Sequence, residues 1–229
     1  NTTTGPAAPE QSAAQPLSSH ISSTGETTVY SPKPNDQVAK EKLQLPPDKT
    51  GLIVVENFEG YNIPEPELVA IAKRNGPCGP FAMTSALKGR GMNITLAQVV
   101  EGLRPVDFYT APNEMVEFAI SKGFSTIRKD NQSLESLVNM IKETKRSVIC
   151  MIQTADLVRN SDGKLVMKNA NDGVQHWINV LGARIKDDKI VSILLKDTWL
   201  SQGGGQIAEM PAEEFDFRWK EMVGYYALG

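Results

Sequence analysis

The stretch Asn75-Gly-Pro-Cys78-Gly-Pro-Phe-Ala-Met-Thr-Ser-Ala-Leu87 constrains the chain more than any other. One of only two cysteines stands between two Gly-Pro pairs, and an apolar, helix-forming run follows at once. Proline fits a helix only in its first turn, where the missing N–H costs nothing. Cys78 is therefore expected at or just before a helix N-terminus. Unpaired N–H groups and the positive end of the helix dipole favour a thiolate there, and the thiolate is the nucleophilic form. Read alone, a cysteine at a helix start is equally a small buried apolar side chain.

Composition narrows the function classes. In 229 residues, 22% are charged and the net charge is −3, which argues against a polyanion binder with a basic face. Two cysteines make no disulfide framework. Cys78, Cys150 and His176 are too few for a four-ligand zinc site, and no cofactor motif is read; Gly203-Gly-Gly205 lacks the Lys-Ser/Thr of a phosphate loop. No apolar run reaches membrane-spanning length. A chain opening on Asn1 reads as a processed or trimmed product, so export with a lost targeting segment stays open, as does the oligomeric state.

Residues 1–50 are rich in Ser, Thr, Pro, Ala and Gln without aliphatic periodicity, and read as a disordered tail or linker ahead of a domain spanning 51–229. Within the domain, Leu52 to Val55 reads as a short strand. Helices are expected from Cys78 to about Lys88, from the capping box Thr95-Leu-Ala-Gln98 to about Gly102, over Glu114 to Lys122, and from a Ser133 cap with Leu134, Leu137, Val138 and Ile141 inward. Strands are expected over Ser147 to Gln153, Val174 to Arg184, Lys189 to Lys196 and Val223 to Leu228. The continuous apolar run around Cys150 predicts a strand covered on both faces, with that thiol inert. Helices first and antiparallel strands after predict an α+β fold.

A histidine opening an apolar strand, as in Val174-Gln-His176-Trp-Ile-Asn-Val180, is by itself as readily a core residue. The following strand adds meaning. If Asp187 and Asp188 form a two-residue hairpin turn, residue 178 faces residue 197, and His176 and Asp197 project from one face as diagonal neighbours. A carboxylate so placed holds an imidazole in one tautomer and stabilises its charged form. Helix-borne thiol, strand-borne imidazole and neighbouring carboxylate together match what an activated nucleophile needs.

These residues resemble those of papain-like cysteine peptidases, and most of all the bacteriocin leader (double-glycine) peptidases and their stand-alone relatives. The likeness rests on Gly76-Pro-Cys78-Gly-Pro80, His176-Trp-Ile-Asn-Val180, Asp197-Thr-Trp199 and the late Glu213-Glu-Phe-Asp-Phe-Arg-Trp219. It implies a nucleophile helix packed on an antiparallel sheet, with Cys78 as nucleophile, His176 as general base then acid, and Asp197 as its orienter. It also implies a peptide or protein substrate. In the family a glutamine before the cysteine helps form the oxyanion hole; that position is Ala72 here, and Asn75 is the nearest amide. The separation of His176 and Asp197 is longer than is common in the family. Trp177, Trp199 and Gly204 flank the expected cleft as substrate-binding candidates, with core packing the plain alternative for the tryptophans.

The reading of the sequence is a cysteine peptidase acting through a thioester. Two alternatives keep the fold: a toxin-like deamidase or transglutaminase acting on a protein glutamine, and a binding module that has lost catalysis.

Overall fold

The computed structural model describes residues 45–64, 67, 78–103, 110–125, 128–129, 131–169, 175–197, 207–220 and 226–228. Strand β1 (Leu52–Val54) is followed by a short 3-10 helix (Phe58–Tyr61). Three helices come next: α1 (Cys78–Gly89), α2 (Leu96–Leu103) and α3 (Pro112–Ser121). Then follow β2 (Arg128–Lys129), α4 (Leu134–Thr144), β3 (Val148–Gln153), the pair β4 (Leu157–Arg159) and β5 (Leu165–Met167), β6 (Gln175–Lys186), β7 (Lys189–Lys196), β8 (Ile207–Pro211), α5 (Ala212–Lys220) and β9 (Tyr226–Leu228). The class is α+β. The main sheet runs β2-β9-β3-β6-β7-β8, with β1 also on β6, and its pairings are antiparallel.

Local chemistry sets the helix limits. Thr95 and Gln98 exchange the two bonds of a capping box: the Thr95 N–H donates to Gln98 Oε1 at 2.9 Å and the Gln98 N–H to Thr95 Oγ1 at 3.3 Å. Ser133 caps α4 by accepting from the Ser136 N–H at 3.2 Å. Pro112 opens α3, where the Ala111 N–H is taken by Glu114 at 2.7 Å. Gly91 follows α1 at φ 84°, in the left-handed region where a glycine carries no Cβ penalty.

The sheet separates two apolar layers. Val148, Cys150 and Ile152 of β3 join the 3-10 helix, α4 and α5 on one side, while Ile149 and Met151 join α1, α2 and α3 on the other. This is the strand buried on both faces that the unbroken apolar run implied. The short helix α5 was not anticipated: it is strongly polar and turns only Ala212, Phe215 and Trp219 inward. Full burial of such aromatics is worth about 1.5–3 kcal/mol each. The folded part also reaches ahead of residue 51: Leu45 packs against the first core, and Arg184 donates to the carbonyls of Asp48 at 3.0 Å and Thr50 at 2.9 Å.

The β6–β7 hairpin carries the register on which the site depends. Asp187 and Asp188 lie at φ 49° and 56°, the left-handed pair of a type I′ turn, despite being a costlier choice than Asn-Gly. The ladder then shifts by one between Arg184 and Ile185, where Val191 is extra on β7, and again between Val180 and Gly182, where Leu181 is extra on β6. One bulge on each strand cancels the other. Asn179 therefore pairs with Lys196, the register that the turn alone would give. The carbonyl of Leu181, freed from the ladder, accepts from the Val55 N–H at 2.9 Å. Gly182 meets β1 so closely that a Cβ would lie 2.2 Å from the Ile53 carbonyl oxygen.

Candidate active site

Cys78 is the first residue of α1 and is partly buried. The first N–H groups of a helix have no partner within it and create a positive local field. Burial raises the Cys78 thiol, but the hydrogen bond and charge of His176, with the N–H groups of Trp177 and Gly79, more than offset it and hold the thiol below its usual range. Cys150 shows the contrast: fully buried in β3 with nothing to oppose that burial, its thiol is pushed well up.

His176 and Asp197 are 2% and 1% exposed and meet at 2.6 Å, His176 Nε2 to Asp197 Oδ1. With Nε2 on the carboxylate, Nδ1 is the ring nitrogen left for Cys78. Burial lowers the imidazole, yet hydrogen bonds to Asp197 and Cys78, with the charges of both, carry it up to about 10. The lowered thiol and the raised imidazole both favour proton transfer from Cys78 to His176, whose ring Asp197 holds. That arrangement supplies a nucleophile, a proton donor at short range and a fixed ring orientation.

The turn at Cys78 is packed from behind by Thr110. The Thr110 carbonyl accepts from Trp177 Nε1 at 2.9 Å, and its Oγ1, buried, has no hydrogen-bond partner among the described residues. A Cβ on Gly79 would lie 2.5 Å from that Oγ1 and 2.7 Å from the Thr110 Cβ, closer than packed atoms come. Gly79→Ala is therefore expected to displace the start of α1, lowering stability by about 1–3 kcal/mol, as overpacking does, and slowing Cys78 alkylation. Melting curves and iodoacetamide rates check this, and wild-type values for both would show that the turn has slack.

Of the other residues picked out in the sequence, Trp177 is buried in the layer formed by α1, α2 and α3, with its indole N–H engaged; that burial assigns its ring to packing rather than to a cleft wall. Asn75, Trp199 and Gly204 lie outside the described residues. Two polar residues were missed. Asn179 is buried and donates from Nδ2 to the Ala82 carbonyl of α1 at 2.7 Å. Lys196, also buried, donates from Nζ to the Tyr61 carbonyl at 2.5 Å. The available signal was a polar residue at an inward position of each apolar strand, Ile178-Asn-Val180 and Leu194-Leu-Lys196.

The site thus joins a helix-borne thiol, an imidazole and a carboxylate on an α+β frame. Among solved structures, the chain is similar to a putative C39-like peptidase from Bacillus anthracis, at 12% identity and TM-score 0.46 over 67% of this chain and 88% of that one. It is similar to the peptidase domain of Streptococcus ComA, described as a bi-functional ABC transporter involved in a quorum-sensing pathway, at 19% identity and TM-score 0.46 over 66% and 88%. It is also similar to the peptidase domain of Streptococcus mutans ComA, at 17% identity and TM-score 0.41 over 68% and 90%. No family model and no curated protein matches. At these scores the likeness is loose, and what the site can do rests on its own atoms. Among the described residues no helix is long and apolar enough to cross a membrane.

Proposed function

We propose that the protein is a cysteine peptidase that cleaves peptide bonds through a thioester on Cys78. The observation that carries this reading is the buried 2.6 Å His176–Asp197 bond, with the same imidazole holding down the thiol that opens α1. The Cys78 thiolate attacks the substrate carbonyl carbon, and the carbonyl oxygen becomes an oxyanion. N–H groups at the start of α1 are the natural donors to it, and Asn75 is the proposed side-chain donor in place of the amide that Ala72 lacks. The C–N bond breaks as the imidazolium of His176 passes its proton to the leaving amine, which leaves a thioester. Water then attacks the thioester carbon while His176 takes its proton. The C–S bond breaks, the acid product departs, and thiolate and imidazolium are restored.

The test is labelling with an electrophilic peptide probe and mapping of the modified residue. Cys78 is expected to take the probe, and to react with iodoacetamide near neutral pH far faster than Cys150 in the folded protein. Equal or reversed rates at the two thiols would remove the case for a nucleophile at residue 78. Peptide products without release of ammonia would separate hydrolysis from deamidation.

A further inference from the structure

Lys196 is the last residue of β7, directly before Asp197, and is only 4% exposed. The Tyr61 carbonyl that it bonds also accepts from Ser85 Oγ of α1 at 2.7 Å. Asn179, its strand partner on β6, holds the Ala82 carbonyl of α1. The Tyr61 ring lies against Gly89 at the end of α1, where a Cβ would come within 2.3 Å of it, and its hydroxyl accepts from the Ser147 N–H at 3.1 Å. Positions 82, 85 and 89 follow the repeat of one helix face. The nucleophile helix is thus braced along its length, and two of the three contacts lead to the pair Asn179–Lys196, beside the residues that bond at His176 and Asp197.

A lysine is a poor filler for such a place. Burial draws its ammonium down to about 7, and Lys88 of α1 adds like-charge repulsion. An apolar side chain of similar length avoids this cost, and replacing buried ionic groups in that way is often neutral or stabilising. Packing alone therefore does not account for the residue.

We propose that Lys196 is a positioning residue for the nucleophile: through the Tyr61 carbonyl it shares with Ser85, it holds α1 at the distance at which Cys78 meets His176. The proposal rests on the reading of Cys78 as nucleophile. The charged and titratable groups around Lys196 are engaged elsewhere: Lys88 with Glu67 at 3.0 Å, Asp197 with His176, and the Tyr61 hydroxyl with Ser147.

Lys196→Met and Ser85→Ala in the full chain test it by two measurements. One is thermal melting at pH values from 6 to 10. The other is the titration midpoint of Cys78, followed through the thiolate absorbance and the pH dependence of iodoacetamide labelling. Lys196→Met is expected to melt no lower than wild type at pH 6. Between about pH 7 and 10.5 the unfolded wild type keeps a Lys196 proton that the folded protein has released. Wild-type stability should therefore gain on the variant as pH rises through that window. The Cys78 midpoint should move up by about one unit, a tenfold change in the thiol–thiolate equilibrium, and Ser85→Ala should move it the same way by less. A wild-type midpoint in Lys196→Met would overturn the proposal, leaving Lys196 as a space filler. If Lys196→Met melts too low to measure, Ser85→Ala decides, since it keeps the lysine: a shifted midpoint supports the brace and an unshifted one sinks it. A wild-type Cys78 no more reactive than Cys150 would be a separate failure, ending the nucleophile reading and this one with it.

Discussion

His176→Ala is expected to abolish turnover and to slow alkylation of Cys78 near neutral pH. The imidazole is the main influence holding the Cys78 thiol down against burial. Without it, only the Trp177 and Gly79 N–H groups oppose that burial, and the thiolate fraction falls. Loss of a general acid–base group costs about 10²–10⁴ in rate, and here the nucleophile is weakened as well. The pH dependence follows from the signs. His176, raised from 6.5 to about 10, contributes stability that is complete below pH 6.5 and lost as pH rises through about 10. Cys78, lowered from 9.0, contributes stability present above pH 9 and lost as pH falls through its folded value. The ion pair fills the window between. Wild-type turnover should therefore fall on the alkaline side near pH 10, where the imidazolium can no longer protonate the leaving amine. Survival of full activity in this variant would leave no cysteine–histidine mechanism in the domain, because the one other histidine is His20.

The second large effect is expected at Asp197. Asp197→Ala removes a charge-assisted bond to a buried ring, and such bonds are worth about 1.5–3 kcal/mol, or roughly ten- to a hundredfold. Turnover and Cys78 labelling should both fall, by less than in His176→Ala, because the orienter is more dispensable than the base. Asp197→Asn should recover part of the loss, since its amide oxygen still accepts from Nε2–H without supplying charge. The double variant of His176→Ala with Asp197→Ala should be little worse than His176→Ala alone, as groups acting as one unit are not additive. Kinetics on one peptide or ester substrate, with melting curves beside them, complete the cycle. Fully additive losses would mean that the two residues act independently.

Much of this site was legible in the chain because its signals are local. Gly-Pro pairs around Cys78 place a helix start, a capping box fixes Thr95, and a two-residue turn at Asp187-Asp188 gives a pairing register. What was not legible depends on partners far apart in sequence. Lys196 and Asn179 look like interruptions of apolar strands until Tyr61 and Ala82 arrive from 135 and 97 residues away. Trp177 could be weighed between cleft and core only once Thr110, 67 residues distant, took its N–H. The helix α5 has two buried aromatics among five charged residues, too weak a pattern to stand out in nine residues.

The irregularities at Leu181 and Val191 each add one unpaired residue to a strand of the hairpin. Loss of either extra residue would leave the other pairs as they stand, with His176 and Asp197 still on one face. An insertion or deletion at a paired position would instead slide one strand by a residue and turn its side chain to the opposite face. The hairpin therefore has slack in its length at two points, and none along the rungs that lead to the site.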